Sequence, residues 1–206
     1  MNTKTLLLVV AACGVLTTVA DATPIVATAQ LDASQEPGPF STSGALGAAV
    51  LSVEPLDGTF DFSLEVTGIR PSDLADLGLG EAISSIHIHN APFGSNGPVV
   101  IDLGGGNTNA NVTSFGNGGF SLNIDGGFFG GVVGDDLAAA NQNLAALLTE
   151  ELYINVHTND FLGGAIRGQL SVVQRPNPVV PEPASVTLVG LTVFGIVLRR
   201  PRRGRE

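Results

Sequence analysis

The chain has 206 residues, of which 44% are hydrophobic, 14% are charged and 27 are glycine, with no tryptophan and a single lysine. That balance suits one globular domain with end segments and excludes a disordered chain. Between Thr23 and Arg175 three arginines stand against sixteen acids, a balance of −13, which excludes nucleic acid as a partner there because binding it needs a positive surface that releases counterions.

In chain order, residues 1–22 read as a signal peptide, with Lys4 in a short polar start, an apolar run from Leu6 to Leu16, and small residues at Ala20 and Ala22 that fit an A-x-A cleavage site. The stretch Val10-Ala11-Ala12-Cys13-Gly14 also resembles a lipoprotein box. Cleavage after Ala22 by signal peptidase leaves a mature chain without cysteine, which removes disulfides, thiolate metal sites and cysteine catalysis. Residues 23–175 then follow a period of two. Thr59 to Thr67 alternates throughout, with Phe60, Phe62, Leu64 and Val66 on one face, as a half-buried antiparallel strand requires. Further strands are predicted at Ile25 to Leu31, Ala45 to Val53, Ser84 to His89, Pro98 to Leu103, Phe120 to Ile124, Leu152 to His157 and Ala165 to Val173, each bounded by Gly, Pro, Asn or Asp. Seven to eight short strands predict an all-β, antiparallel β-sandwich. Asp135 or Asp136 caps one short helix carrying Leu137, Ala140, Leu144, Leu147 and Leu148 at helical spacing, and Pro71 to Leu77 holds a further helical turn. Gly104 to Gly131, rich in Gly and Asn, is expected to be the mobile part of the domain.

After a linker at 176–180, Pro181-Glu182-Pro183 precedes an uncharged run over 184–198 and the basic residues Arg199, Arg200, Arg202, Arg203 and Arg205. This order resembles the PEP-CTERM sorting signal. The resemblance implies an exosortase substrate, processed near Pro181 to Pro183. The run predicts a membrane helix of ~22 Å, short of the ~30 Å apolar core of a bilayer, so it anchors weakly and relies on its arginines. The arginine cluster stays cytoplasmic, which places the domain outside the inner membrane.

Chemistry has few places to reside. The three histidines fall in the two most patterned strands, His87 and His89 opposite Ile86 and Ile88, and His157 on the face of Tyr153 and Asn155. If the two strands are neighbours, three imidazoles converge into a set that suits Zn or Cu. Otherwise they are polar residues of an outer face, bonded to Asn155, Thr158 or backbone carbonyls. The separation of His157 from the other two decides. Asp102 and Asp160 are candidates to complete such a shell, Glu150-Glu151 and Asp135-Asp136 read as a helix end and cap, and Arg167 is expected to make a structural pair with a carboxylate. There is no Gly-x-Ser-x-Gly elbow, and Gly104-Gly105-Gly106 lacks a phosphate-loop lysine, so no catalytic residue is assigned.

Taken together, Gln35-Glu36, Val66-Thr67-Gly68-Ile69, His87-Ile88-His89-Asn90-Ala91-Pro92, Leu152 to Thr158 and Gly163 to Leu170 resemble a CHRD domain, the module named from chordin, over nearly all of Pro24 to Val173. The resemblance implies an extracellular all-β module without a settled activity; Ala165 stands where the family usually has an acid. Two functions from different classes follow. One is an exported, surface-sorted, non-enzymatic binding or structural component of the envelope or extracellular matrix, whose partners are signal peptidase, exosortase, the inner membrane before processing, and an extracellular polysaccharide or secreted protein. The other is a Zn or Cu protein, or metalloenzyme, built on His87, His89 and His157.

Overall fold

Alternation shapes the first three strands, β1 (Ile25–Asp32), β2 (Leu46–Val53) and β3 (Thr59–Thr67), in the computed structural model, which describes residues 23–38, 41, 43–75, 85–104, 110–130 and 136–176. On β3, Phe60, Phe62, Leu64 and Val66 are buried while Asp61, Glu65 and Thr67 are exposed. β1 and β2 pair antiparallel from Ile25↔Val53 to Asp32↔Leu46, and β2 and β3 from Leu46↔Thr67 to Val53↔Phe60. The register brings all three apolar sets to one face, because a slip of one residue would turn a whole set to water.

Next come β4 (Ile86–Asn90), β5 (Val99–Asp102), β6 (Asn111–Phe115) and β7 (Gly119–Phe128). The helix α1 (Leu137–Leu148) follows, then β8 (Leu152–Val156), β9 (Ile166–Gln169) and β10 (Ser171–Gln174). The strands form one antiparallel sheet in the order β5-β4-β8-β9-β1-β2-β3-β7-β6, with β10 also on β1. β9 and β10 are two halves of one segment: around the buried Leu170 it leaves β8 and joins β1, which links the wings. The sheet curls over a single core in which Ile86, Ile88, Ile154 and Val156 of one wing join Phe60, Phe62 and Leu64 of the other.

The all-β antiparallel class and a helix at the expected place stand, but the seven to eight strands of a sandwich give way, among the described residues, to ten strands in one curled sheet. Two features account for the difference. β6 lies within the Gly/Asn-rich stretch expected to be mobile, where Val112, Thr113 and Phe115 favour an extended chain that pairs with β7 from Asn111↔Asn123 to Phe115↔Gly119. The segment Ala165 to Val173 is divided at Leu170. The Asp136 carboxylate accepts from the Ala138 amide and so satisfies a free donor at the start of α1, whose Ala140, Ala146 and Leu147 are buried. The turn expected after Arg70 is a short 3₁₀ helix, Pro71–Asp73.

Among the described residues no helix is long and apolar enough to cross a membrane. The expected signal peptide with Ala20 and Ala22, the Pro181-Glu182-Pro183 motif, the membrane run and the basic stop at Arg199 to Arg203 lie outside the described residues.

Candidate metal centre

The two histidine strands are neighbours. β4 pairs with β8 through Ile86↔Val156, His87↔Asn155, Ile88↔Ile154 and His89↔Tyr153, so isoleucine and valine share the core face and the polar residues share the other. β9 continues that polar row through Tyr153↔Gln169 and Asn155↔Arg167. His157 stands just beyond β8, where its amide donates to Ser85 O and its carbonyl accepts from the Ala75 amide.

This polar face is not wet. His87, His89 and His157 are 4%, 8% and 6% exposed, because two loops cover them. The first, residues 91–98, turns tightly at Pro92-Phe93-Gly94-Ser95: the Ser95 amide donates to Pro92 O, and Gly94 takes the positive φ of 79° that the third position of a type II turn demands. The second, residues 158–164, is closed by the Phe161 amide on Thr158 O and the Gly164 amide on Phe161 O.

Each loop also fixes one imidazole. Nδ1 of His89 lies 3.0 Å from Gly97 O, and Nδ1 of His157 lies 2.9 Å from Leu162 O. A carbonyl only accepts, so both Nδ1 atoms carry the proton and both Nε2 atoms keep a lone pair. Those two Nε2 atoms are buried and have no hydrogen-bond partner among the described residues. His87, His89 and His157 each bring one ring nitrogen into a group whose members all lie within 4.8 Å of one another. His87 turns Nε2 toward the Asp102 carboxylate of β5, at 3.9 Å. Burial lowers the His157 imidazole to about 4, against the raising effect of its hydrogen bond to Leu162 and with a further lowering by His89. His89 is likewise lowered, mainly by burial. His89 and His157 therefore stay neutral near pH 7, which is the form that ligates metal.

A stacked column supports it. The Tyr153 ring lies parallel to His89, with centroids 4.9 Å apart, and the Arg167 guanidinium carbon sits 3.4 Å above the Tyr153 centroid on the other side. Arg167 is wholly buried and donates to Ser95 O at 2.7 Å, Pro92 O at 3.4 Å and Gln169 Oε1 at 3.2 Å. The loop that orients His89 is thus tied down by the cation behind it.

Convergence of the three histidines was conditional on the two strands being neighbours; they are, the three rings meet, and Asp102 stands beside one of them. Asp160 is exposed in the second loop and does not join the group. The carboxylate partner expected for Arg167 is replaced by backbone carbonyls and a tyrosine ring, because the strand register places Tyr153 and the 91–98 loop around it; Glu36 acts on it only as a nearby charge. Glu36 itself carried no assigned role in the sequence beyond its place in Gln35-Glu36. It is 6% exposed, and burial pushes its carboxyl up to about 7 against the opposing effects of Arg167 and Asn155. An acid placed just ahead of Pro37-Gly38 was its one local signal.

No curated protein and no solved structure matches the chain. The PEP-CTERM protein-sorting motif matches residues 179–203, so this is an exported protein with a membrane-anchored sorting signal of the kind an exosortase recognises. The CHRD domain model matches residues 27–170, a span that holds both histidine strands, Arg167, Glu36 and both covering loops, and by that match the chain belongs to the CHRD domain family.

Proposed function

We propose that this exported CHRD protein holds one Zn or Cu ion on His87, His89 and His157, and that it serves outside the inner membrane as a non-enzymatic metal-binding component of the cell surface or extracellular matrix. The observation that carries this reading is the convergence of three buried imidazoles, two of which hold Nδ1–H on a loop carbonyl and keep a buried Nε2 with no hydrogen-bond partner among the described residues. Backbone carbonyls and carboxylates behind metal-ligating histidines have this role, fixing the tautomer and ring orientation. Three imidazoles without a thiolate suit Zn or Cu, and ligands at ~2.0–2.1 Å from one ion require the nitrogens to draw together by about an ångström. The burial of all three rings favours an ion that is retained over one that exchanges substrates.

Protein purified from a periplasm without chelator is expected to carry close to one Zn or Cu per chain by elemental analysis, and His157→Ala or His89→Ala to lose it while keeping the far-ultraviolet spectrum of a β-protein. Metal-free protein with no thermal shift on added Zn or Cu would overturn the assignment. For delivery, replacing Pro181, Glu182 and Pro183 with alanine is expected to leave full-length protein in the inner membrane; unchanged processing would contradict exosortase sorting of this chain.

A further inference from the structure

The histidine group offers a divalent ion too few ligands and too little opposing charge. Zn(II) in a closed protein site is almost always held by four ligands. Among the described residues the group able to share one ion is His87, His89 and His157, with no carboxylate and no thiolate in it. All three rings are buried beneath the covering loops, so a fourth ligand from solvent would have to enter a closed space.

Charge points the same way. Moving an ion from water into a protein interior costs free energy that grows with the square of its charge, about fourfold more for a doubly than for a singly charged ion of equal size. The cost is recovered where negative groups stand against the ion. Among the described residues one carboxylate stands against the rings, that of Asp102 on β5, whose Oδ1 lies 3.9 Å from His87 Nε2. Across the sheet, on β9, the nearby charge is positive. The Tyr153 ring stacks on His89, and the wholly buried guanidinium of Arg167 stacks on Tyr153. One positive charge at the histidines is matched by Asp102; a second is left unmatched, with Arg167 behind it.

On the reading that the three histidines hold a metal, we propose that the ion is Cu(I), three-coordinate on neutral imidazoles. Cu(I) is monovalent, accepts three ligands without a fourth, and belongs to the metals that imidazole suits. Thiolates and thioethers are the usual means of selecting it, but Thr23 to Arg175 contains neither Cys nor Met. Selection here rests on coordination number and charge.

The test uses the exported protein, stripped of metal and titrated anaerobically with Cu(I) presented as its bicinchoninate complex. Ag(I) serves as a redox-inert monovalent probe, and Zn(II) and Cu(II) are titrated separately. The expected result is about one Cu(I) or Ag(I) per chain, with a Cu(I) dissociation constant at least about a hundredfold below those of Zn(II) and Cu(II). Cu(I) binding is expected to be lost in His157→Ala and in His89→Ala. The ratio of Cu(I) to Zn(II) affinity is read on the wild type, so it decides even if those variants fold poorly. Zn(II) or Cu(II) bound as tightly as Cu(I), or a fourth ligand on the Cu(I) ion in its X-ray absorption spectrum, would overturn the choice of ion and leave the metal centre standing. Failure of every ion to bind would overturn the centre itself, and the choice with it.

Discussion

The wing of β1, β2, β3 and β7 and the wing of β4, β8 and β9 grow from the same alternation, yet they treat their second face in opposite ways. On the first wing Glu65, Asp61 and Ala48 stand in water. On the second, β8 is buried at every position from Leu152 to Val156, although Tyr153 and Asn155 point away from the apolar core. The difference is the pair of loops that folds over His87, His89, Asn155, His157 and Arg167. An antiparallel sheet commonly leaves one face solvated. Covering such a face with polar side chains still on it takes a partner for nearly every atom, and in the proposed metal centre the ion would be that partner for His89 and His157, whose Nε2 atoms are buried without a hydrogen bond among the described residues.

The comparison is most easily broken at Arg167. Arg167→Ala removes the stack on Tyr153, leaves Ser95 O and Pro92 O without their donor, and opens a hole beneath the first loop; we expect a loss of about 3–5 kcal/mol in urea denaturation. A loss below about 1 kcal/mol would mean that the loop is held by something else. Glu36→Gln sharpens the contrast through pH. The Glu36 carboxyl ionises near 4.5 in the unfolded chain and about 7 when folded, so the folded state keeps its proton longer and the wild type loses stability as pH rises through that window. Glutamine has no such proton, so the stability of Glu36→Gln relative to wild type should climb between pH 4.5 and 7 and level off above. A difference that stays flat across the window would show that Glu36 is solvated. The smallest effect is expected on the wet wing: Glu65→Ala on β3 should shift stability by less than about 0.5 kcal/mol. A large shift there would put an unrecognised partner on that face.

Much of this architecture is written locally. Phe60 to Val66, the Asp136 cap and the isoleucine-histidine alternation of Ile86 to His89 depend on neighbours in the chain, and each appears where period and capping put it. The pairing of β4 with β8 is a long-range choice. Sequence therefore placed the three histidines on polar faces but left open whether those faces were one. What lies over the histidines was harder still to read. Gly97 O and Leu162 O are backbone atoms with no sequence signature, and Arg167 reaches its carbonyls only because two segments far apart in the chain fold to the same place. Glu36 was hidden for the same reason, since Gly164 and Asn155, which meet its carboxyl, lie far along the chain. Around β6 the local rule misled: the flanking Gly and Asn signal turns and loops, but Val112, Thr113 and Phe115 suit a strand and β7 offered an edge for it to pair with.

The most direct test of the histidine centre is X-ray absorption at the Zn or Cu edge on protein purified without chelator. The account predicts a first shell with about three imidazole nitrogens at ~2.0–2.1 Å, and no such shell in His157→Ala, which loses the ion. A shell of oxygen alone, or one unchanged in His157→Ala, would place the metal elsewhere and return the three histidines to a purely structural role.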